Sequence, residues 1–287
     1  MSVSILPTRR DLKFGLPAEK AVDWHYAGMH VSQFYNTLSL FFPVGERFFI
    51  DSVRNYRDQI TDPELKQAVT AFIGQEAMHS REHAELNDLL HAAGVPVEAQ
   101  EAFVLALLKG VQKYTPQSVQ LAATVALEHL TAILADALLR NPALLGEDSD
   151  EKFVGLWNWH ALEETEHKAV AFDVYTTVMG KTLTAYGLRT SMLVLSTSVF
   201  LALQYAFYFE NVRRKGGLLN VKGWVTSLRY QWGRKGGFSQ SVLNWLDWFK
   251  PGFHPWDHDN RALLENVDAL LAPILEDNAK RKKTKAA

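Results

Sequence analysis

The chain has 287 residues with 30 basic and 32 acidic side chains, ten His and no Cys, and 47% of it is hydrophobic. That composition buries a sizeable core, and the missing sulfur excludes disulfides, thiolate metal sites and a cysteine nucleophile. A net charge of -2 argues against nucleic acid as a partner, and the opening residues Met1 to Arg10 lack a secretory pattern, so the expected compartment is the cytoplasm.

Helical periodicity runs through nearly the whole chain, and no stretch alternates as a strand does. A first long helix is expected from Val31 to Ile60. Asp62-Pro63-Glu64 supplies a cap, a first-turn proline and a dipole-compatible acid, opening a second helix that ends at Gly94. A shorter helix, Glu98 to Tyr114, crosses to a third long one, Gln117 to Arg140. After the Pro/Gly/Asp-rich loop 141–150, a fourth long helix is capped at Asp148 or Ser149 and runs to Gly180. The pattern predicts an all-α protein: a four-helix bundle in residues 1–180 and a helical C-terminal extension in 181–287.

The extension opens with Thr190 to Phe209, 20 residues without charge. Its preferred reading is a fifth helix buried against the bundle. The other readings are a surface that dips into a membrane or receives a long-chain substrate, and a membrane span, which would export the metal domain. From Asn211 to Lys250 there are eight Lys or Arg against one acid, Asp247, with four Trp interleaved. Such a mixture suits a headgroup region, so peripheral association with the inner face of a membrane is an expectation.

The second helix carries Glu76-x-x-His79 and the fourth Glu164-x-x-His167. A spacing of three sets a carboxylate and an imidazole on one helical face. About 0.6 such pairs would arise by chance from this composition, so two of them, each mid-helix, carry weight. Glu46 and Glu128, on the other two long helices, stand among apolar residues where a lone carboxylate is expensive. Four carboxylates with neutral imidazoles balance two divalent cations, and an oxygen-rich, thiol-free set suits iron or manganese.

In these residues the chain resembles the ferritin-like di-iron carboxylate proteins. Over its whole length, including Phe253-His254-Pro255-Trp256, it resembles the bacterial family of predicted metal-dependent hydrolases. His160, four residues before Glu164, makes a His-x-x-x-Glu-x-x-His face that resembles the extra-histidine site of di-iron arylamine N-oxygenases. The resemblance implies metal ligands at Glu46, Glu76, His79, Glu128, Glu164 and His167, with His160 a third imidazole. His83, on the face of Glu76 and His79, is a further ligand candidate but is read first as a supporting or solvent-facing group.

Other polar residues receive ordinary readings. Glu163 points about 100° from Glu164 and belongs to another face. Glu166 and His129 are expected at the surface or in packing, Asp136 and Asp173 are candidate acceptors for ligand imidazoles, and His254 to Asp259 reads as a structural turn. The favoured function is an oxygen-activating di-iron oxidase or oxygenase acting on a hydrophobic small molecule or lipid, with two Fe ions (Mn or a mixed pair as variants) and an electron donor. The alternative is a metal-dependent hydrolase using a bridging hydroxide on an ester or amide.

Overall fold

In a computed structural model, which describes residues 5–265 and 267–286, every long element is a helix and no strand occurs among the described residues. The helices are α1 (Met29–Ser39), α2 (Phe42–Arg54), α3 (Pro63–Ala92), α4 (Val97–Tyr114), α5 (Gln117–Arg140) and α6 (Glu151–His167). They continue as α7 (Val170–Met179), α8 (Leu183–Arg214), α9 (Val221–Trp232), α10 (Gly237–Asp247) and α11 (Val267–Ala286). The fold class is all-α.

Local chemistry accounts for several ends. Asp62 Oδ1 accepts from the backbone N–H of Glu64 at 2.9 Å, and Gly94 closes α3 at φ +85°, a conformation side chains disfavour. Asp150 caps α6 through the N–H of Lys152, one residue beyond the expected caps. The single helix expected over 31–60 is instead two, because Pro43 lacks an N–H and its ring crowds the carbonyl four residues back, at Ser39. The fourth long helix also divides, at Lys168-Ala169. There the Lys168 ammonium is bound to His258 O at 2.7 Å and Asn260 Oδ1 at 2.8 Å, a tertiary anchor no local pattern announces.

Two apolar clusters form the interior. One takes Val31 to Leu40, Leu86, Leu90, Leu138, Phe153 and Trp159, together with Tyr208 and Val212 of α8. The other takes Phe48 to Val53, Leu65 to Phe72, Leu121 to Ala126 and Val170 to Tyr175, together with Leu193 and Trp248. On each of four chain paths the order is therefore one apolar cluster, a polar interval, then the other cluster. The paths α1–α2 and α6–α7 cross the interval in one direction, and α3 and α5 in the other, with α4 returning the chain. Glu46, Glu76 to His83, Glu128 and His160 to His167 all fall in the interval.

Candidate metal centre

Helical spacing explains how this interval becomes one site. Glu76, His79 and His83 follow one another at three and four residues on α3, as do His160, Glu164 and His167 on α6, so each triad faces the bundle axis. Glu46 and Glu128 enter from α2 and α5. All eight side chains are buried. His167 Nε2 lies 3.2 Å from Glu76 Oε1, 3.6 Å from Glu128 Oε2 and 3.5 Å from Glu164 Oε1. His79 Nδ1 lies 3.6 Å from Glu164 Oε1 and 3.9 Å from Glu46 Oε1, and His160 Nε2 is 3.2 Å from Glu164 Oε1.

Three overlapping groups could hold a cation: Glu46 with His79 and His160, Glu76 with Glu128 and His167, and Glu76 with His79 and Glu164, each with ligand atoms within 4.8 Å of one another. The donor atoms are also unsatisfied. Both oxygens of Glu76 and Glu128, Glu46 Oε1, both nitrogens of His79, His160 Nε2 and His167 Nε2 are buried without a hydrogen-bond partner. A folded protein rarely tolerates so many orphaned polar atoms in one place unless something positive sits among them.

Electrostatics point the same way. Burial, and then mutual repulsion, pushes the carboxyls of Glu46, Glu76 and Glu128 well above the usual range. Burial works in the same direction on Glu164, but the adjacent His167 and His160 hold it well below. Burial also keeps His79 neutral, far below the usual imidazole range. Glu46, Glu76 and Glu128 therefore retain protons until cations replace them, which is how a buried carboxylate site couples to metal binding.

The surrounding residues orient the candidates. Gln75 Oε1 accepts from His167 Nδ1 at 2.9 Å, while its Nε2 donates to Glu166 Oε2 at 2.8 Å. Arg10 clamps Glu166 at 2.6 Å and Glu163 at 3.2 Å, and Glu163 Oε2 stands 3.2 Å from His79 Nε2. Ser80 donates to Glu46, and Thr131 to Glu164. Glu163 therefore faces the site rather than away from it, and Glu166 is buried rather than at the surface. Helix α6 is enclosed by α3 and the N-terminal segment, so a residue 100° off its stripe still meets a neighbour. The available sequence clue was that both Glu-x-x-His motifs are preceded by a polar residue, Gln75 and Glu163.

His83 is supporting, not solvent-facing: its Nε2 meets His160 Nδ1 at 2.9 Å and its Nδ1 meets Ser39 Oγ at 2.9 Å. Asp136 and Asp173 do not serve ligand imidazoles. Asp136 holds Arg140 and Asn260, and Asp173 holds His254. His129 is a packing residue, 4.5 Å from the Trp248 ring centroid. The stretch after Phe253 is a turn with a reciprocal cap between His254 and Asp257.

A cavity of about 360 Å³ reaches this layer. Its walls are apolar, with Phe41, Leu130, Leu134 and Phe238 among them, and Glu46, Thr131, His160 and Glu164 stand where it meets the carboxylates. Leu107 of α4 and Leu195 and Val199 of α8 line it while remaining exposed, so it opens outward between those helices.

A family model described as predicted metal-dependent hydrolase matches residues 8–259, which includes every candidate ligand. No curated protein and no solved structure matches the chain. The family match overturns the expectation that an oxidoreductase is favoured over a hydrolase. The reason is chemical: carboxylates and imidazoles specify that cations bind, but the same donors serve redox and Lewis-acid centres.

Proposed function

The chain belongs to the family of predicted metal-dependent hydrolases, and from that premise we propose that it cleaves esters or amides of hydrophobic acids at a two-ion centre. The ions would be held by Glu46, Glu76, His79, Glu128, Glu164 and His167, with His160 a third imidazole in a ferritin-like bundle. The observation that carries this reading is the continuity of the apolar cavity with the unsatisfied carboxylate layer.

Divalent cations in this oxygen-and-nitrogen set, iron or manganese by donor type, would polarise a carbonyl and acidify water. The chain's own residues do the rest. The cavity wall binds the alkyl part of the substrate and excludes bulk water, which strengthens every charge interaction at its polar end. Phe42 packs on His160 with ring centroids 4.3 Å apart, shielding that imidazole on one side. Gln75 holds His167 with Nε2 turned to the carboxylates, and Arg10 holds Glu163 beside His79.

The test is hydrolysis of p-nitrophenyl esters of rising chain length by chelator-stripped protein reloaded with iron(II), manganese(II) or zinc(II), with oxygen excluded. Turnover should require metal, increase with acyl length and fall by about two orders of magnitude or more in Glu76→Ala. Absence of turnover with every metal and chain length would sink the proposal.

A further inference from the structure

Helices α8, α9 and α10 each bury uncharged polar side chains and expose a run of apolar ones, where a surface helix in water does the reverse. On α9, Val221, Val225, Leu228 and Trp232 recur at spacings of four, three and four and are 71%, 41%, 61% and 43% exposed. Its buried side carries Ser227 and Gln231, where Tyr208 donates to Ser227 Oγ at 2.7 Å and Tyr205 to Gln231 Oε1 at 2.8 Å. On α10, Ser241 is buried and donates to Ile133 O, whereas Val242, Leu243 and Leu246 are exposed. On α8, Gln204 is buried and donates to Phe34 O at 3.0 Å, Asn211 donates to Thr37, and Val194, Leu195, Val199 and Phe209 face outward.

We propose that this inverted face of α8, α9 and α10 docks on an anionic lipid surface. Charge supplies the choice of occupant. Lys222, Arg229, Arg234 and Lys235 are exposed beside the apolar stripes and have no ion-pair partner among the described residues. The segment 211–250 carries eight cations and one acid, an excess of seven, in a chain whose net charge is -2. Apolar side chains set among unpaired cations match acyl chains beneath anionic headgroups. A second copy meeting the same face would bring like charges together.

The cavity supplies a second, independent reason. Its exposed lining residues Leu195 and Val199 belong to the outward stripe of α8, so an apolar molecule can pass from the docked surface to the interior without crossing water. Although α8 is long and apolar enough to cross a membrane, its inner side is fastened to α1 through Gln204 and Asn211. Lipid therefore meets one face of it. Docking stands apart from the hydrolase reading, since it requires neither metal nor turnover.

The experiment is co-sedimentation of the full chain with phosphatidylcholine vesicles made with and without phosphatidylglycerol. The expected result is about tenfold or greater preference for the anionic vesicles, weakening as salt is raised. The double variant Leu228→Glu, Leu243→Glu changes two exposed side chains outside the cavity and should lose binding by about tenfold or more with its helical circular dichroism unchanged. Quenching of the wild-type tryptophan emission by brominated acyl chains tests the same contact without any variant. Absence of sedimentation with both vesicle types, or binding indifferent to the double substitution, overturns the proposal. So does a concentration-dependent dimer that the double variant dissolves while vesicles remain unbound.

Discussion

Gln75 accepts a hydrogen bond from His167 Nδ1 at 2.9 Å, and the rest of the Gln75 amide leaves no other assignment. Its Nε2 donates to the Glu166 carboxylate and to Thr8 O, so Oε1 must be the atom that faces the imidazole. His167 is thereby held as the tautomer with Nδ1 protonated, and its Nε2 lone pair points at Glu76, Glu128 and Glu164.

Replacing Gln75 by Met keeps the volume and removes the acceptor. Metal affinity should fall by about 10- to 100-fold, the range for losing a partner of a ligand imidazole. Competition with a calibrated chelator measures it. Unchanged affinity would detach Gln75 from the centre.

Glu76 gives a prediction of opposite sign in the two metal states. Its carboxyl is fully buried and burial raises it well above the unfolded value, so at neutral pH it destabilises the metal-free fold. Glu76→Gln should therefore raise metal-free stability by about 1–3 kcal/mol, a few degrees of melting temperature. It should also abolish stabilisation by added cation, which is about 2.7 kcal/mol at a hundredfold excess over Kd for the wild type. Melting curves recorded with chelator and with metal must move in these two directions.

The residues that meet at the site differ in how visible they were. Glu46, Glu76, His79, Glu128, Glu164 and His167 could be grouped because each sits on a long helix whose period is strong, and periodicity places side chains on a face. Gln75 and Glu163 could not, because a helical wheel measures angle from one stripe and says nothing of which neighbour encloses the other side. Pro43 carries a break signal that the single helix expected over 31–60 ignored. The apolar stripes of α9 and α10 were equally visible as periodic patterns, but period alone does not say which face turns inward.

His25 links stability to pH away from the carboxylates. It is buried, its Nε2 donates to Leu144 O at 2.7 Å and its Nδ1 accepts from the N–H of Ala27 at 3.1 Å. A second ring proton would point at that N–H, and burial lowers the imidazole to about 4. The unfolded chain, near 6.5, therefore binds more protons between about 6.5 and 4, so this contribution is complete above 6.5 and is lost as pH falls through that window. The loss amounts to about 3 kcal/mol. Urea unfolding of wild type and His25→Gln at steps through the window should show a shallower pH slope in the variant. Equal slopes would assign the dependence to other groups.

Gly45 offers a way to alter the cavity without touching a ligand. It lies on α2 beside Glu46, lines the cavity, and a Cβ built there meets no heavy atom within 4 Å. Its backbone is helical, so Gly45→Leu should not strain the chain, and replacing an interior helical glycine gains about 0.5–1 kcal/mol of helix preference. The new side chain occupies space otherwise open to substrate. Each methylene denied burial is worth about 0.8 kcal/mol, so KM for the longest ester accepted by the wild type should rise by about tenfold or more. Short esters fill less of the cavity and should lose less, so the preferred chain length should shorten. The measurement is kcat and KM across the acyl series for both proteins, with melting temperatures beside them. A uniform fall in kcat at unchanged KM would show that Gly45 acts on the ligands rather than on the cavity.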